Sequence, residues 1–269
     1  MIKINNIQIT NERFPNGEIK LNEEQIIKAS TQFLASGQNI EYTHNGDDGL
    51  LELFMVVRYI QDIIANSCIH LYIKYMPYSR MDRQVGTSAF TLKYIADWIA
   101  SWGVETINIG EAHSDVTPAL LNAFNENISE KIFKTVKDDI SFDIRTDVLF
   151  FPDAGAQKRY HALKYPSLVG FKHRDWGTGQ IKSLEVCGDI PKEPFRAVII
   201  DDLCSFGGTF LYSAKKLREL GASEVYLIVA HCENNILKGE LINSGLVDRI
   251  YTTDSIFTEE HNLVKVVDV

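Results

Sequence analysis

The sequence predicts an α/β protein of two similar domains, each with a mainly parallel sheet flanked by helices. Three observations carry that expectation. Short apolar runs alternate with segments of helical period, a helix–glycine–strand–histidine pattern occurs twice with the same spacing, and polar residues gather where the apolar runs stop. Strands alternating with helices imply βαβ units, whose parallel strands are buried on both faces.

The elements follow in chain order. "MIKINNIQIT" alternates polar and apolar residues, unlike the apolar core of a secretory leader. "DDGLLELFMVVRYIQDIIANS" (47–67) has helical periodicity and leads to a strand in "LYIKYMP" (71–77). In "SAFTLKYIADWIASWG" (88–103), Leu92, Ile95, Ile99 and Trp102 recur at three- and four-residue spacing, and Gly103 closes the helix. Trp98 and Trp102 lie on or beside that stripe and are expected in the core. "ETINIGEAH" (105–113) is the next strand. The polar stretch "NENISEKIFKTVKDD" (125–139) suggests a boundary, dividing the chain into domains 1–135 and 136–269, with the last few residues packing back onto the first. "DVLFFPDAG" (147–155), "RAVIIDDL" (196–203) and "EVYLIVAHC" (224–232) are strands of the second domain, the last two separated by the helical "TFLYSAKKLRELGA". "WGVETINIGEAH" and "LGASEVYLIVAH" form the repeated pattern, from Gly103 to His113 and from Gly221 to His231.

Composition limits the function. With 269 residues, 45% hydrophobic, the chain can bury a sizeable core as one large domain or two smaller ones. A formal charge of −9 argues against broad binding to nucleic acid or anionic membrane, because no basic excess exists to neutralise phosphates. No apolar run approaches the roughly 20 residues of a membrane span. The four cysteines (Cys68, Cys187, Cys204, Cys232) contain no C-x-x-C pair for zinc or redox work. A reduced, cytoplasmic protein is expected.

Ligands of open α/β sheets bind beyond the carboxyl ends of the strands. The residues there are Pro77 to Arg83, Glu111 and His113, Asp153, and Asp201 with Asp202. Taken singly, each is also what a strand end meeting water looks like. Together they supply carboxylates for Mg²⁺ and ribose hydroxyls, guanidinium groups for phosphates, and a histidine. In "VIIDDLCSFGGTF" (198–210) the acids are followed by glycines and a threonine that open a helix, a place where phosphate meets backbone N–H groups. Phe206 is an odd lining for such a loop. His231, Cys204 and Cys232 receive no role.

The order of these motifs resembles the ribose-phosphate pyrophosphokinase (PRPP synthetase) family over nearly the whole chain. "RFPNGEIK" is similar to its N-terminal Phe-x-x-Gly-Glu segment, "DDGLLELFMVV" to its first long helix, and "PYSRMDRQ" to its Pro-Tyr-x-Arg-Gln-Asp-Arg signature. "EAHSDVTPALLNAF" resembles its Asp-Leu-His strand end, "VLFFPDAGAQKR" its Ser-Pro-Asp-x-Gly segment, and "GFKHR" stands where its mobile Lys-Arg loop lies. "VIIDDLCSFGGT" resembles its PRPP loop.

The resemblance implies two phosphoribosyltransferase-like domains and transfer of the β,γ-diphosphate of MgATP to a sugar's C1 hydroxyl, releasing AMP. It implies that Arg80, Asp82, Arg83 and His113 sit at the ATP site, with Phe14, Asn16 and Glu18 reaching the adenine from a neighbouring subunit. That last assignment implies a homo-oligomer, a dimer or a hexamer. Lys172 and Arg174 would close over the transferring diphosphate, with His113 approaching the phosphates as a third catalytic residue. The metal side would be His113 and Asp153. Asp201, Asp202, Ser205, Phe206, Gly207, Gly208 and Thr209 would hold the sugar and its phosphate. Diphosphoryl transfer fits such a set, since it asks for positioning and charge neutralisation more than covalent catalysis. The glycines and polar residues of "GFKHRDWGTGQIKS" suit a lid that excludes water.

The departures matter as well. Met81 replaces a glutamine, and "QVGTSAF" replaces the basic run that follows it in the family, so phosphate-activated, ADP-inhibited control is not implied. The family's Asp-Thr before Gly-Gly-Thr is here Ser205-Phe206, and a phenyl ring packs apolar surface without donating a hydrogen bond. A 5-substituted ribose such as ADP-ribose fits the altered loop, and the departures resemble PRPP-synthetase-like enzymes of phage NAD-rebuilding pathways. The sequence leans to that acceptor over ribose 5-phosphate, in the host cytoplasm if the enzyme is phage-encoded. Two other classes stay open: a phosphoribosyltransferase, which would not need the Arg-Met-Asp-Arg segment, and a non-catalytic PRPP-synthetase-associated protein, whose kind tends to lose the loop glycines or acids.

Overall fold

The computed structural model describes residues 1–31, 37–174, 181–192 and 194–269, except for the side chains of 172–174 and 181–183. It forms two compact units, Met1–Glu126 and Asn127–Val269.

The first unit runs β1 (Ile2–Ile4), β2 (Ile7–Ile9), β3 (Glu12–Arg13), β4 (Ile19–Lys20), α1 (Glu23–Thr31), β5 (Gln38–Tyr42), α2 (Asp47–Ile63), β6 (Ile69–Ile73), α3 (Thr91–Ala100), β7 (Thr106–Gly110), α4 (Val116–Leu121) and β8 (Phe124–Glu126). Its six-stranded sheet has the order β2-β1-β5-β6-β7-β8. β5 to β8 are parallel, and β1 joins them antiparallel. α2 buries Leu50, Leu53, Val56, Val57 and Ile60, one stripe at helical spacing, and α3 buries Leu92, Ala96 and Ile99. Trp102 is fully buried and meets Trp98 edge-on at 5.1 Å, the arrangement that ring quadrupoles favour.

The second unit runs α5 (Ile128–Val136), β9 (Val148–Phe151), α6 (Ala154–Arg159), β10 (Ser167–Arg174), β11 (Ile181–Cys187), β12 (Phe195–Cys204), α7 (Gly208–Glu219), β13 (Ala222–Cys232), β14 (Arg249–Thr252) and β15 (Val264–Val266), with two short 3₁₀ turns, Asn234–Lys238 and Leu241–Asn243, after β13. The seven strands are ordered β11-β10-β9-β12-β13-β14-β15. β12 and β13 are buried almost continuously because the sheet has a core on each face. One core gathers around α7, the other around α5 and α6.

The repeated pattern is structural. Gly103 follows α3 and precedes β7, and Gly221 follows α7 and precedes β13. Both glycines adopt positive φ, +71° and +98°, the left-handed turn at which a helix hands over to the next strand. β6–α3–β7 and β12–α7–β13 are thus equivalent units, each joining neighbouring parallel strands.

Three expectations change. The boundary lies at 126/127 rather than 135/136, because Ile128, Ile132, Phe133 and Val136 of α5 pack into the second unit's core. The end of the chain is part of the second unit: β15 pairs with β14, and Val267 is buried in that unit's core. The two ends of the segment read as a lid loop lie in strands β10 and β11, paired antiparallel from Val169↔Cys187 to Arg174↔Ile181, while residues 175–180 lie outside the described residues. No helix among the described residues is long and apolar enough to cross a membrane.

Candidate active site

In the first unit the polar residues gather beyond β6 and β7. Tyr78 sits at φ +62°, and its hydroxyl donates to Asp47 Oδ1 at the start of α2, 2.7 Å away. That contact anchors the turn carrying the Arg-Met-Asp-Arg segment. Asp82 is 4% exposed and receives Arg83 Nε at 2.7 Å on one oxygen and Nη2 at 3.2 Å on the other. The Arg83 hydrogen bonds hold the Asp82 carboxyl below its usual range, and the nearby His113 charge adds to the effect. His113 follows β7, where the Glu111 N–H bonds Glu126 O at 2.8 Å and the Ala112 N–H bonds Asn125 Oδ1 at 2.7 Å. His113 thus lies within electrostatic reach of the paired Asp82. Arg80 and Met81 are exposed on the same turn.

Phe14, Asn16 and Glu18 belong to the β3–β4 hairpin segment, whose Arg13 reaches Asp48 at the start of α2 at 3.5 Å. Gly17 at φ +90° makes the hairpin's turn, and the Phe14 N–H bonds Glu18 O at 2.9 Å. Asn16 Oδ1 accepts the Glu18 N–H at 3.2 Å. Phe14 stands 47% exposed at the tip.

In the second unit Asp201 and Asp202 lie near the end of β12, the latter two residues before its last, Cys204. Arg159, the last residue of α6, places Nη1 2.6 Å from Asp202 Oδ1 and 3.4 Å from Asp201 Oδ1. Burial, then the neighbouring Asp202 charge, pushes the Asp201 carboxyl well above the carboxylate range, and Arg159 opposes both. Burial disfavours the charge on Arg159, but Asp202, Tyr160 and Asp201 outweigh it and raise the guanidinium above its ordinary value. Asp153 is the N-cap of α6, its Oδ1 accepting the Ala156 N–H at 3.1 Å. Among the described residues no three His, Cys, Asp or Glu side chains converge as a metal cage. A carboxylate just past a strand end, such as Asp153, suits Mg²⁺ that arrives on substrate phosphates, since that ion is usually held by one or two carboxylates and the phosphates themselves.

The loop after the acids is tightly supported. Gly207 at φ +81° is the N-cap of α7, and no side chain caps the helix. Its first N–H groups have no side-chain cap, and such helix-start groups are what an anion site uses. A Cβ on Gly207 would stand 3.0 Å from Leu241 Cβ, and one on Gly239 would stand 1.9 Å from Phe206 O. The 3₁₀ turns thus press directly on the loop backbone. Ser205 Oγ donates to Glu233 Oε2 at 2.6 Å, Phe206 is 55% exposed, and Ser213 Oγ bonds Thr209 O.

Sequence and structural relationships point the same way. The N-terminal domain of ribose phosphate pyrophosphokinase matches residues 1–103. The ribose-phosphate pyrophosphokinase of Mycoplasma pneumoniae is 26% identical over 261 residues, covering 92% of this chain and 76% of that protein. That of Staphylococcus aureus is 28% identical over 262 residues, covering 93% and 77%. The phosphoribosylpyrophosphate synthetase of Mycobacterium smegmatis, at 19% identity, superposes with a TM-score of 0.74 over 97% of this chain and 85% of that one. Over nearly its whole length the chain is similar to ribose-phosphate pyrophosphokinases.

Both units accordingly have the phosphoribosyltransferase-like fold of PRPP synthetases. Lys172 and Arg174 of the family's Lys-Arg segment occupy β10, opposite Leu184 and Ile181, and their side chains lie outside the described residues. Two residues of this PRPP-synthetase-like site escaped the sequence reading. Arg159 stands inside a motif read only for its aspartate, and its helical position relative to Asp153 was the available signal. Glu233 directly follows β13, and the strand register Cys204↔Cys232 is what brings it to the loop.

Proposed function

We propose that this enzyme transfers the β,γ-diphosphate of MgATP to the C1 hydroxyl of ribose 5-phosphate, releasing AMP. The new bond joins the C1 oxygen to the β-phosphorus, the bond from that phosphorus to the α-phosphate oxygen breaks, and the hydroxyl proton leaves. The observation that carries the reading is the pair Asp201–Asp202 leading through Gly207 into the uncapped start of α7: acids for a vicinal diol, then N–H groups for the 5-phosphate. Asp82, Arg83 and His113 are proposed for ATP together with Arg80, and His113 and Asp153 for the metal side. Lys172 and Arg174 are proposed to neutralise the transferring group. Survival of both acids and both loop glycines favours a catalyst over a regulatory homologue, and the Arg-Met-Asp-Arg segment favours it over a simple phosphoribosyltransferase. The exposed Phe14 hairpin supports a homo-oligomer that shares its adenine site, and the same reading puts the enzyme in the cytoplasm.

The relatives named above carry the ribose-phosphate pyrophosphokinase name, which favours ribose 5-phosphate over the ADP-ribose suggested by the loop. One observation keeps ADP-ribose as a second reading: Phe206 is 55% exposed at the loop, available to pack on a larger 5-substituent. AMP release measured with the two acceptors in competition tests the choice. Preferred use of ribose 5-phosphate is expected, and exclusive use of ADP-ribose would reverse the assignment.

A further inference from the structure

Glu233 belongs to no motif read in the sequence, yet it is the residue most closely tied to the sugar-phosphate loop. Its Oε2 accepts Ser205 Oγ at 2.6 Å and Asn235 Nδ2 at 3.0 Å. Its N–H donates to Cys204 O at 2.8 Å, so the backbone joins the last residue of β12 just where the loop begins. Ser205 has a single hydroxyl proton to give. With that proton on a carboxylate, Ser205 braces the loop instead of donating to a phosphate. The 5-phosphate is left to the N–H groups at the start of α7 and to Thr209. Ser205 stands where related loops carry an aspartate, and the carboxylate has in effect moved to the neighbouring strand end.

We propose that Glu233 is a positioning residue for the acceptor site. Through Ser205 it fixes the loop so that the first N–H groups of α7 face the 5-phosphate, in place of the absent loop aspartate. The inference rests on the functional reading above. A hydrogen bond to a charged group contributes enough that its loss should change acceptor binding roughly tenfold to hundredfold.

The test uses the full chain with ribose 5-phosphate and ATP as probes. Glu233→Ala should raise the KM for ribose 5-phosphate by about tenfold or more while leaving the KM for ATP within about twofold. Glu233→Gln, which keeps an accepting oxygen, should be intermediate. Adding Ser205→Asp to Glu233→Ala should recover much of the loss, which a merely structural role would not permit. Ser205→Ala serves where Glu233→Ala fails to fold, and should shift the acceptor KM in the same direction. Equal rises in both KM values, or an unchanged acceptor KM in Ser205→Ala, overturns the proposal. Calorimetric binding of ribose 5-phosphate needs no turnover. A wild type that binds it without releasing AMP would count against the functional reading, while weaker binding by Glu233→Ala would still support the inference.

Discussion

Arg159 Nη1 lies 2.6 Å from Asp202 Oδ1 and 3.4 Å from Asp201 Oδ1, so one half-buried guanidinium holds together the two acids near the end of β12. Without it, two adjacent carboxylates would share a largely dry site. Removing one partner of a buried pair leaves uncompensated charge and costs about 3–5 kcal/mol. Arg159→Ala should lose stability of that order in urea denaturation, and Arg159→Ala with Asp202→Asn should lose distinctly less. Equal losses in the two variants would show that the pair does not act as a unit.

Asp201 gives a pH signature. Its folded-state pKa is raised by burial and by Asp202, while the unfolded value stays near ~3.9. An acid shifted upward costs stability once the pH passes the unfolded value, and the cost grows until the folded pKa is reached. Asp201→Asn should therefore gain stability relative to wild type as pH rises from about 4 toward neutral. Denaturation midpoints of both proteins across that range check it; a constant or shrinking difference contradicts the assignment.

Gly239 tests the support of the loop. Its backbone is ordinary extended chain, with φ −81°, so alanine is conformationally acceptable, but the new Cβ would stand 1.9 Å from Phe206 O. Gly239→Ala should push the loop outward, raising the KM for the acceptor while that for ATP changes little. If both constants stay at wild-type values, the 3₁₀ turn is not what sets the loop's position.

Lys172 and Arg174 face a kinetic test. Charge on the transferring diphosphate is met mainly in the transition state, so either change to alanine should lower kcat far more than it weakens ATP binding. Removing one such stabiliser typically costs roughly 10²-fold or more. Wild-type turnover in both variants would remove the assignment.

The central strands were legible in the sequence because a parallel strand buried on both faces is a nearly unbroken apolar run, as in "AVIIDDL" and "VYLIVAHC". β10 and β11 were not, because an antiparallel pair at the sheet edge carries charges and a glycine, Gly170, that look like loop. The domain boundary was misplaced for a related reason: the lysines and acids of 125–139 hide Ile128, Ile132, Phe133 and Val136, which share one buried face of α5. Among the candidate site residues, Asp201 and Asp202 are legible where they interrupt an apolar run late in β12, and Asp82 and His113 in the segments after β6 and β7. Arg159 and Glu233 could not, because an ion pair across 43 residues and a hydrogen bond across 28 depend on strand order and register, which local pattern does not encode.

The measurement that tests the central claim most directly is the identity of the products from ATP and ribose 5-phosphate. Phosphorus NMR of the reaction should show AMP and a sugar 1-diphosphate appearing in equal amounts, because the two outer phosphates move as one group. Formation of ADP, release of orthophosphate, or no AMP at all in the presence of Mg²⁺ would contradict the pyrophosphokinase assignment.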